Sequence, residues 1–180
     1  MNDTIQKIRD FFRETKGGDP QKIISFFTFL LFGDGKPNSS DDTFSTLKDN
    51  VKDGDVDAQY CLGFCYENGI GVPENKEVAA TWYREAAERG YADAQWRLGL
   101  YYENCYKNGI AIPKGELQIG QWFSKAAEQG HPGAQYCLGA CYERAVGVEQ
   151  EDEEKAINWY RKAAEQGHKE AAEALKRLSE

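Results

Sequence analysis

The sequence predicts an all-α protein, a solenoid of helix-turn-helix repeats, and three observations support this. Two sequence blocks recur at nearly constant intervals along residues 57–180. Apolar residues within each block are three or four positions apart, which is helical rather than strand periodicity. A glycine closes each copy of the second block, as expected where a helix ends in a residue of positive φ.

The first block predicts the first helix of each repeat. In the first copy Ala58, Leu62 and Tyr66 recur at every fourth residue, so they share one helical face. Later copies follow at offsets of 36 and 40 residues. An internal glycine, which costs about 1 kcal/mol against alanine in a helix, recurs in every copy and predicts close approach of a second helix. These glycines are Gly63, Gly99 and Gly139.

The second block predicts the second helix of each repeat. It runs from Trp82 to Gly90 and recurs at offsets of 40 and 37 residues, ending at Gly130 and Gly167. A turn over residues 68–73 separates the two helices of the first repeat. The middle repeat carries a four-residue insertion, residues 104–107, which is about one helical turn and should lengthen its first helix without changing its face.

Both ends of the array are expected to be atypical, because a terminal repeat has one face in water. Residues 1–56 are interpreted as an N-terminal helical capping region that includes a degenerate repeat. Residues 57–180 are interpreted as three repeats followed by a capping helix from Lys169 to Leu178.

The A-x-x-x-L-G-x-x-Y helix, the G-x-G-V turn and the W-Y-x-K-A-A-x-x-G helix together resemble the Sel1-like repeat family, a relative of the tetratricopeptide repeat. The resemblance covers residues 57–180. It implies a right-handed α/α superhelix that binds other proteins and has no catalytic centre of its own. Family members occur mainly as bacterial adaptors, signalling scaffolds and host-interaction factors, and in eukaryotes in membrane-protein quality control.

Composition and charge narrow the possible partners. Of 180 residues, 30 are acidic and 22 are basic, and the resulting net charge of −8 disfavours nucleic acid. The longest apolar stretch, Ile23 to Phe32, is too short for a membrane-spanning helix. Acidic residues precede it and no small-residue cleavage site follows, so we expect no signal peptide, no membrane insertion and a cytoplasmic protein.

The five cysteines predict reduced thiols rather than a disulfide framework, because their number is odd and no export signal is evident. Two pairs are spaced by four residues and could in principle form a four-thiolate zinc site. The equivalent positions of the middle repeat hold Arg97 and Tyr101, however, so small buried side chains are the favoured interpretation. No metal or cofactor is therefore expected. The pairs are Cys61 with Cys65 and Cys137 with Cys141.

No set of residues predicts catalysis. Ser45 to Lys48 matches the Ser-x-x-Lys of penicillin-recognising enzymes, but the partner motifs of those enzymes are missing. His131 and His168 are a full repeat apart and follow repeat-ending glycines, so we expect structural roles. The acidic run from Glu149 to Glu154 is interpreted as a solvated helix-capping cluster, with a docking patch as the alternative.

The predicted site is a ladder of side chains along the first helices, on the concave side of the array. Aromatic and acidic residues there suit a protein partner with apolar and basic residues, although some rings could instead be buried between repeats. One alternative is an acidic inhibitor or immunity-type protein that neutralises a basic partner, and a minor one is a penicillin-binding or hydrolase-like enzyme. The ladder comprises Tyr60, Phe64, Glu67, Trp96, Leu100, Glu103, Tyr136, Ala140 and Glu143.

Overall fold

The computed structural model describes residues 55–113 and 115–179, and this part of the chain contains seven α-helices and no strand. The chain divides into two compact units, Met1–Arg89 and Gly90–Glu180. The helices expected within residues 1–54, and the Ser45 to Lys48 motif, lie outside the described residues.

The described part of the first unit is one helical pair. Helix α1 spans Val56–Asn68 and begins after Asp55, whose carboxylate accepts hydrogen bonds from the backbone amides of residues 57 and 58. It ends at Gly69, which has a φ of 66°. Helix α2 spans Lys76–Glu88 and is capped by the Asn75 side chain. Side-chain caps of this kind satisfy amides that have no partner within the helix.

The second unit contains two further pairs and a single C-terminal helix. Each second helix packs against the first helix of its repeat, and the last helix packs against the one before it. The helices are α3 (Ala92–Lys107), α4 (Leu117–Glu128), α5 (Pro132–Arg144), α6 (Glu153–Glu165) and α7 (Lys169–Leu178). The bounds of α7 are those expected from the sequence.

The insertion in the middle repeat lengthens α3 as predicted. This helix has 16 residues, whereas α1 and α5 have 13 each. The inserted residues 104–107 form its last turn, and Cys105 in that turn is buried. The added turn therefore extends the first helix and leaves the rest of the repeat pattern unchanged.

The internal glycines are sites of close helix approach, which confirms the sequence interpretation. A Cβ atom at Gly99 would lie 2.6 Å from Cε1 of Phe123, and one at Gly139 would lie 2.8 Å from Cδ1 of Tyr160. Gly63 meets Tyr83 in the same way within the first unit. In each pair the ring of the second helix occupies the space that a side chain on the first helix would need.

The two histidines cap helices. Nδ1 of His131 accepts a hydrogen bond from the Ala134 amide at 3.0 Å, and Nδ1 of His168 accepts one from the Ala171 amide at 3.4 Å. His131 is the N-cap residue of α5 and His168 is the N-cap residue of α7. Serine and aspartate are more common at this position. The expected structural role of these residues is confirmed.

Asp152 caps α6 through its bond from the Lys155 amide, and the neighbouring residues 153 and 154 form the acidic first turn of that helix. The capping interpretation of the acidic run therefore holds for its C-terminal half. In residues 55–113 and 115–179, no helix combines the length and apolar character needed to cross a membrane.

Candidate partner-binding surface

The structure corrects the predicted ladder in the first unit. Tyr60 and Phe64 are each only 1% exposed, so the expectation that these two side chains are exposed on the first helix is wrong. The Tyr60 ring packs against the ring of Tyr83, with centroids 5.6 Å apart. The absence of a side chain at Gly63 lets the Tyr83 ring come this close to α1.

The ladder positions of the second unit remain partly exposed. Three lie on α3 and three on α5, the first helices of the middle and last repeats. All have intermediate exposure, which leaves part of each side chain available for contact. They are Trp96, Leu100, Glu103, Tyr136, Ala140 and Glu143.

The two aromatic rings of this set are held in place by the capping histidines. The Trp96 ring lies 4.8 Å from the His131 imidazole, and the Tyr136 ring stacks on His168 at the same distance with an interplanar angle of 18°. Tyr136 also meets Tyr160 at 5.6 Å. Part of each ring is therefore used in packing between consecutive repeats, as the alternative interpretation proposed.

Two ladder carboxylates join the helices of their own repeats. The Tyr83 hydroxyl donates to Glu67 at 2.7 Å, and the Tyr160 hydroxyl donates to Glu143 at 2.6 Å. Glu143 also accepts from Arg177 of α7 at 2.7 Å. The pKa of Glu143 is lowered below its usual value of 4.5. The bond from Arg177 is the largest cause, and the bond from Tyr160 lowers the pKa further.

The middle repeat lacks this tyrosine-to-glutamate bond. Phe123 stands where the other repeats have tyrosine, so Glu103 receives no hydroxyl from α4. Instead it pairs with Lys107 of the insertion at 2.8 Å. Glu103 is therefore the ladder carboxylate whose described partner is an exposed lysine of its own helix.

A small cleft connects the exposed positions of α3 and α5. Its volume is about 50 Å³, and it brings together ladder positions from two repeats. Residues that the sequence analysis did not single out also line it, among them Tyr106, which is 44% exposed. The four-residue insertion, which contains Tyr106 and Lys107, was the feature of the sequence that could have indicated these lining residues. The lining is Glu103, Tyr106, Lys107, Cys137, Ala140, Cys141, Arg144 and Val146.

The charge of this cleft is mixed. Lys107 and Arg144 face the same space as Glu103, and the Lys107 amine is already paired with the Glu103 carboxylate. Apolar and aromatic surface, rather than an excess of negative charge, is what the cleft offers to a ligand.

Four of the five cysteines are buried, and Cys137 is partly exposed. No disulfide links them, as predicted. Burial raises the pKa of Cys65, Cys137 and Cys141 to about 12, so these thiols stay protonated near neutral pH. Thiolates are the form that binds zinc. Across residues 55–113 and 115–179 no three His, Cys, Asp or Glu residues are grouped in a way that could hold a metal ion.

The helical pairs, their repeated glycine contacts and the absence of strands in the described residues define an all-α helical repeat solenoid. A family model described as Sel1 repeat matches residues 56–91, 92–131 and 132–168, more than half of the chain. The chain belongs to the Sel1 repeat family.

Known structures and sequences agree with this assignment. A Sel1 repeat protein from Oxalobacter formigenes is 40% identical, with a TM-score of 0.64, over 75% of this chain and 98% of that one. A protective antigen of uropathogenic Escherichia coli strains, described as displaying an SLR fold, is 28% identical with a TM-score of 0.72 over 99% of this chain and 36% of that one.

A sel1-like repeat-containing protein from Acanthamoeba polyphaga mimivirus is 43% identical over 58 residues, which are 32% of this chain and 11% of the viral protein. The chain thus spans about a ninth of that viral relative and about a third of the antigen. Sel1 repeat proteins generally act as protein-interaction scaffolds, and the family is typically non-catalytic.

Proposed function

We propose that this chain is a non-enzymatic scaffold that binds a segment of another protein across α3 and α5. The observation that carries the proposal is the cleft in which Glu103 and Ala140, ladder positions of consecutive repeats, are brought together. Leu100 and Tyr106 add partly exposed apolar surface on the same helix. Tyrosine is among the side chains that carry most of the binding energy in protein interfaces, and apolar neighbours help to exclude water around it.

The partner is proposed to anchor through apolar side chains at this cleft. The rings of Trp96 and Tyr136 are pre-ordered by their contacts with the capping histidines, so little conformational entropy is lost when a partner packs on them. Glu103 contributes orientation rather than net attraction, because Lys107 and Arg144 offset its charge. The proposed function requires no catalytic residue and no cofactor, and the proposed partner is a protein rather than a nucleic acid.

The test is affinity capture from the native lysate with the full chain as bait, followed by measurement of affinity for the captured protein. The Leu100→Ala/Tyr106→Ala variant should weaken binding by about tenfold or more, because two central anchors are truncated. The matched control is Glu165→Ala, an exposed position on α6, which should change affinity little. Thermal unfolding of each variant separates lost contacts from lost folding.

The opposite effect of the two variants on binding would contradict the proposal that the cleft binds the partner. If Glu165→Ala abolished capture and the double variant did not, the binding surface would have to be the outer face of the second helices. A strongly salt-dependent complex with one basic protein, unaffected by the double variant, would instead favour the acidic inhibitor.

A further inference from the structure

A second and larger groove lies in the same unit, between α4 and the turn that connects α5 to α6. Its volume is about 450 Å³, against about 50 Å³ for the cleft, and the two share no lining residue. Leu138 and Tyr142, which line the groove, are on a different side of α5 from Ala140 and Arg144, which line the cleft. The groove is lined by Leu117, Gly120, Gln121, Ser124, Leu138, Tyr142, Gly147, Val148, Glu149, Gln150, Asp152 and Lys155.

The floor of the groove is fixed by a backbone contact between two repeats. A Cβ atom at Gly120 would overlap the carbonyl group of Gly147, so the two backbones touch directly. The other repeats hold Ala80 and Ile157 at the position of Gly120, so this contact is particular to the middle repeat. Gly147 has a φ of 74°, a conformation that favours glycine. The groove therefore has a preformed floor, which lowers the entropy cost of binding.

The walls combine apolar surface with negative charge. Leu138, Tyr142 and Val148 supply the apolar part, and Leu117 at the edge is 45% exposed. Two carboxylates and one amine line the groove. The Lys155 amine lies 3.0 Å from Asp152 and 5.2 Å from the centre of the Tyr142 ring, so it is occupied by that carboxylate and that ring.

Glu149 is the third charged residue that lines the groove. Among residues 55–113 and 115–179 its carboxylate has no hydrogen-bond or ion-pair partner, although it lines the groove. The exposed carboxylates of residues 151, 153 and 154 follow it and add to the negative potential at this edge. A basic side chain of a partner would find an available carboxylate here, next to apolar surface.

We propose that this groove is a docking site for a protein segment that carries a lysine or arginine next to an apolar side chain. The apolar side chain packs against Tyr142 and Val148, and the basic group pairs with Glu149. Because Leu117, Gln121 and Gln150 are exposed along the rim, the groove is open and suits an extended segment rather than an enclosed small molecule. The site is additional to the α3–α5 cleft and does not depend on it.

The probe is a random peptide library displayed on phage and selected against the full chain, followed by affinity measurements with the synthetic form of each enriched peptide. The selected peptides should contain a basic residue beside an apolar one. Glu149→Lys should weaken their binding by about tenfold, because attraction becomes repulsion. Ser124→Phe, which fills the groove from α4, should weaken it similarly without a change of charge.

Two controls separate this site from others. Glu165→Lys makes the same charge reversal on an exposed part of α6 and should change affinity by less than about twofold. The Leu100→Ala/Tyr106→Ala variant should leave the affinity of groove-binding peptides unchanged. A result that rejects docking in the groove can therefore be distinguished from one that rejects partner binding at the cleft. The proposal is overturned if no enriched peptide is sensitive to both Glu149→Lys and Ser124→Phe, or if the sensitive peptides are acidic.

Discussion

At the scale of single residues, a tyrosine on the second helix and a glutamate on the first helix hold a repeat together. The bond joins Tyr83 to Glu67 and Tyr160 to Glu143, with the tyrosine ring packed over the internal glycine in both cases. Hydrogen bonds to a carboxylate are stronger than those between neutral groups. The middle repeat keeps the ring contact through Phe123 but has lost the hydroxyl group.

Restoring the hydroxyl should stabilise the middle repeat. Phe123→Tyr is expected to raise the free energy of unfolding by about 0.5–1 kcal/mol, since the new hydroxyl can donate to Glu103. Chemical denaturation measures this change. The control is the Phe123→Tyr/Glu103→Ala double variant, in which the gain should disappear. A Phe123→Tyr protein less stable than wild type would show that Glu103 is out of reach.

Glu143 should make the stability of the C-terminal end depend on pH. Bonds from Arg177 and Tyr160 lower its pKa below 4.5, so their contribution is fully present above about pH 4.5 and is lost as the pH falls through the lowered pKa. Glu143→Gln should cost about 0.5–1 kcal/mol at neutral pH. The difference from wild type should shrink in acid.

Denaturation of both proteins across a pH series measures this dependence. Glu173→Gln, at an exposed position on α7, is the control and should unfold like wild type at every pH. A Glu143→Gln deficit that stayed constant down to pH 3 would contradict the assignment of this charge.

At the scale of helices, the glycine contacts decide how closely each pair can pack. The first helices carry glycine where an aromatic ring of the second helix lies across them, and the rings are almost fully buried. A core at this density accommodates added volume only by moving a helix. The helix starts are equally specified, since Asp55, Asn75, Asp152 and the two histidines each accept a bond from a first-turn amide.

Gly99→Leu should therefore separate α3 from α4. A Cβ atom there would already be 2.6 Å from Phe123, so we expect a loss of about 1–3 kcal/mol in the free energy of unfolding. Ala172→Leu, which adds the same kind of side chain at an exposed position of α7, should be nearly neutral. Unchanged stability of Gly99→Leu would disprove the close-approach account.

At the scale of the whole molecule, the repeat period predicted most of the fold. Glycine and aromatic positions recur because each repeat has the same packing requirement, so the sequence indicated the helix pairs, the glycine contacts and the bounds of α7. Exposure within the candidate site was harder to predict. Tyr60 and Trp96 occupy equivalent positions, yet one is buried and the other is partly exposed.

The groove was not predictable from the repeat pattern for a related reason. It depends on Gly120, a position where the middle repeat departs from the others, and on the backbone of Gly147 beside it. Repetition in the sequence identifies what the repeats share. The contact of Gly120 with Gly147 is absent from that shared pattern, because Ala80 and Ile157 stand at the position of Gly120 in the other repeats.

The central claim is that a protein partner contacts the exposed face of α3 and α5, and site-specific photo-crosslinking tests it most directly. The photoreactive amino acid benzoylphenylalanine is placed at Leu100 in one protein and at Glu165 in another, and each is irradiated in the native cell. The account predicts that a partner is crosslinked at Leu100 and not at Glu165. Crosslinking at Glu165 with none at Leu100 would contradict it.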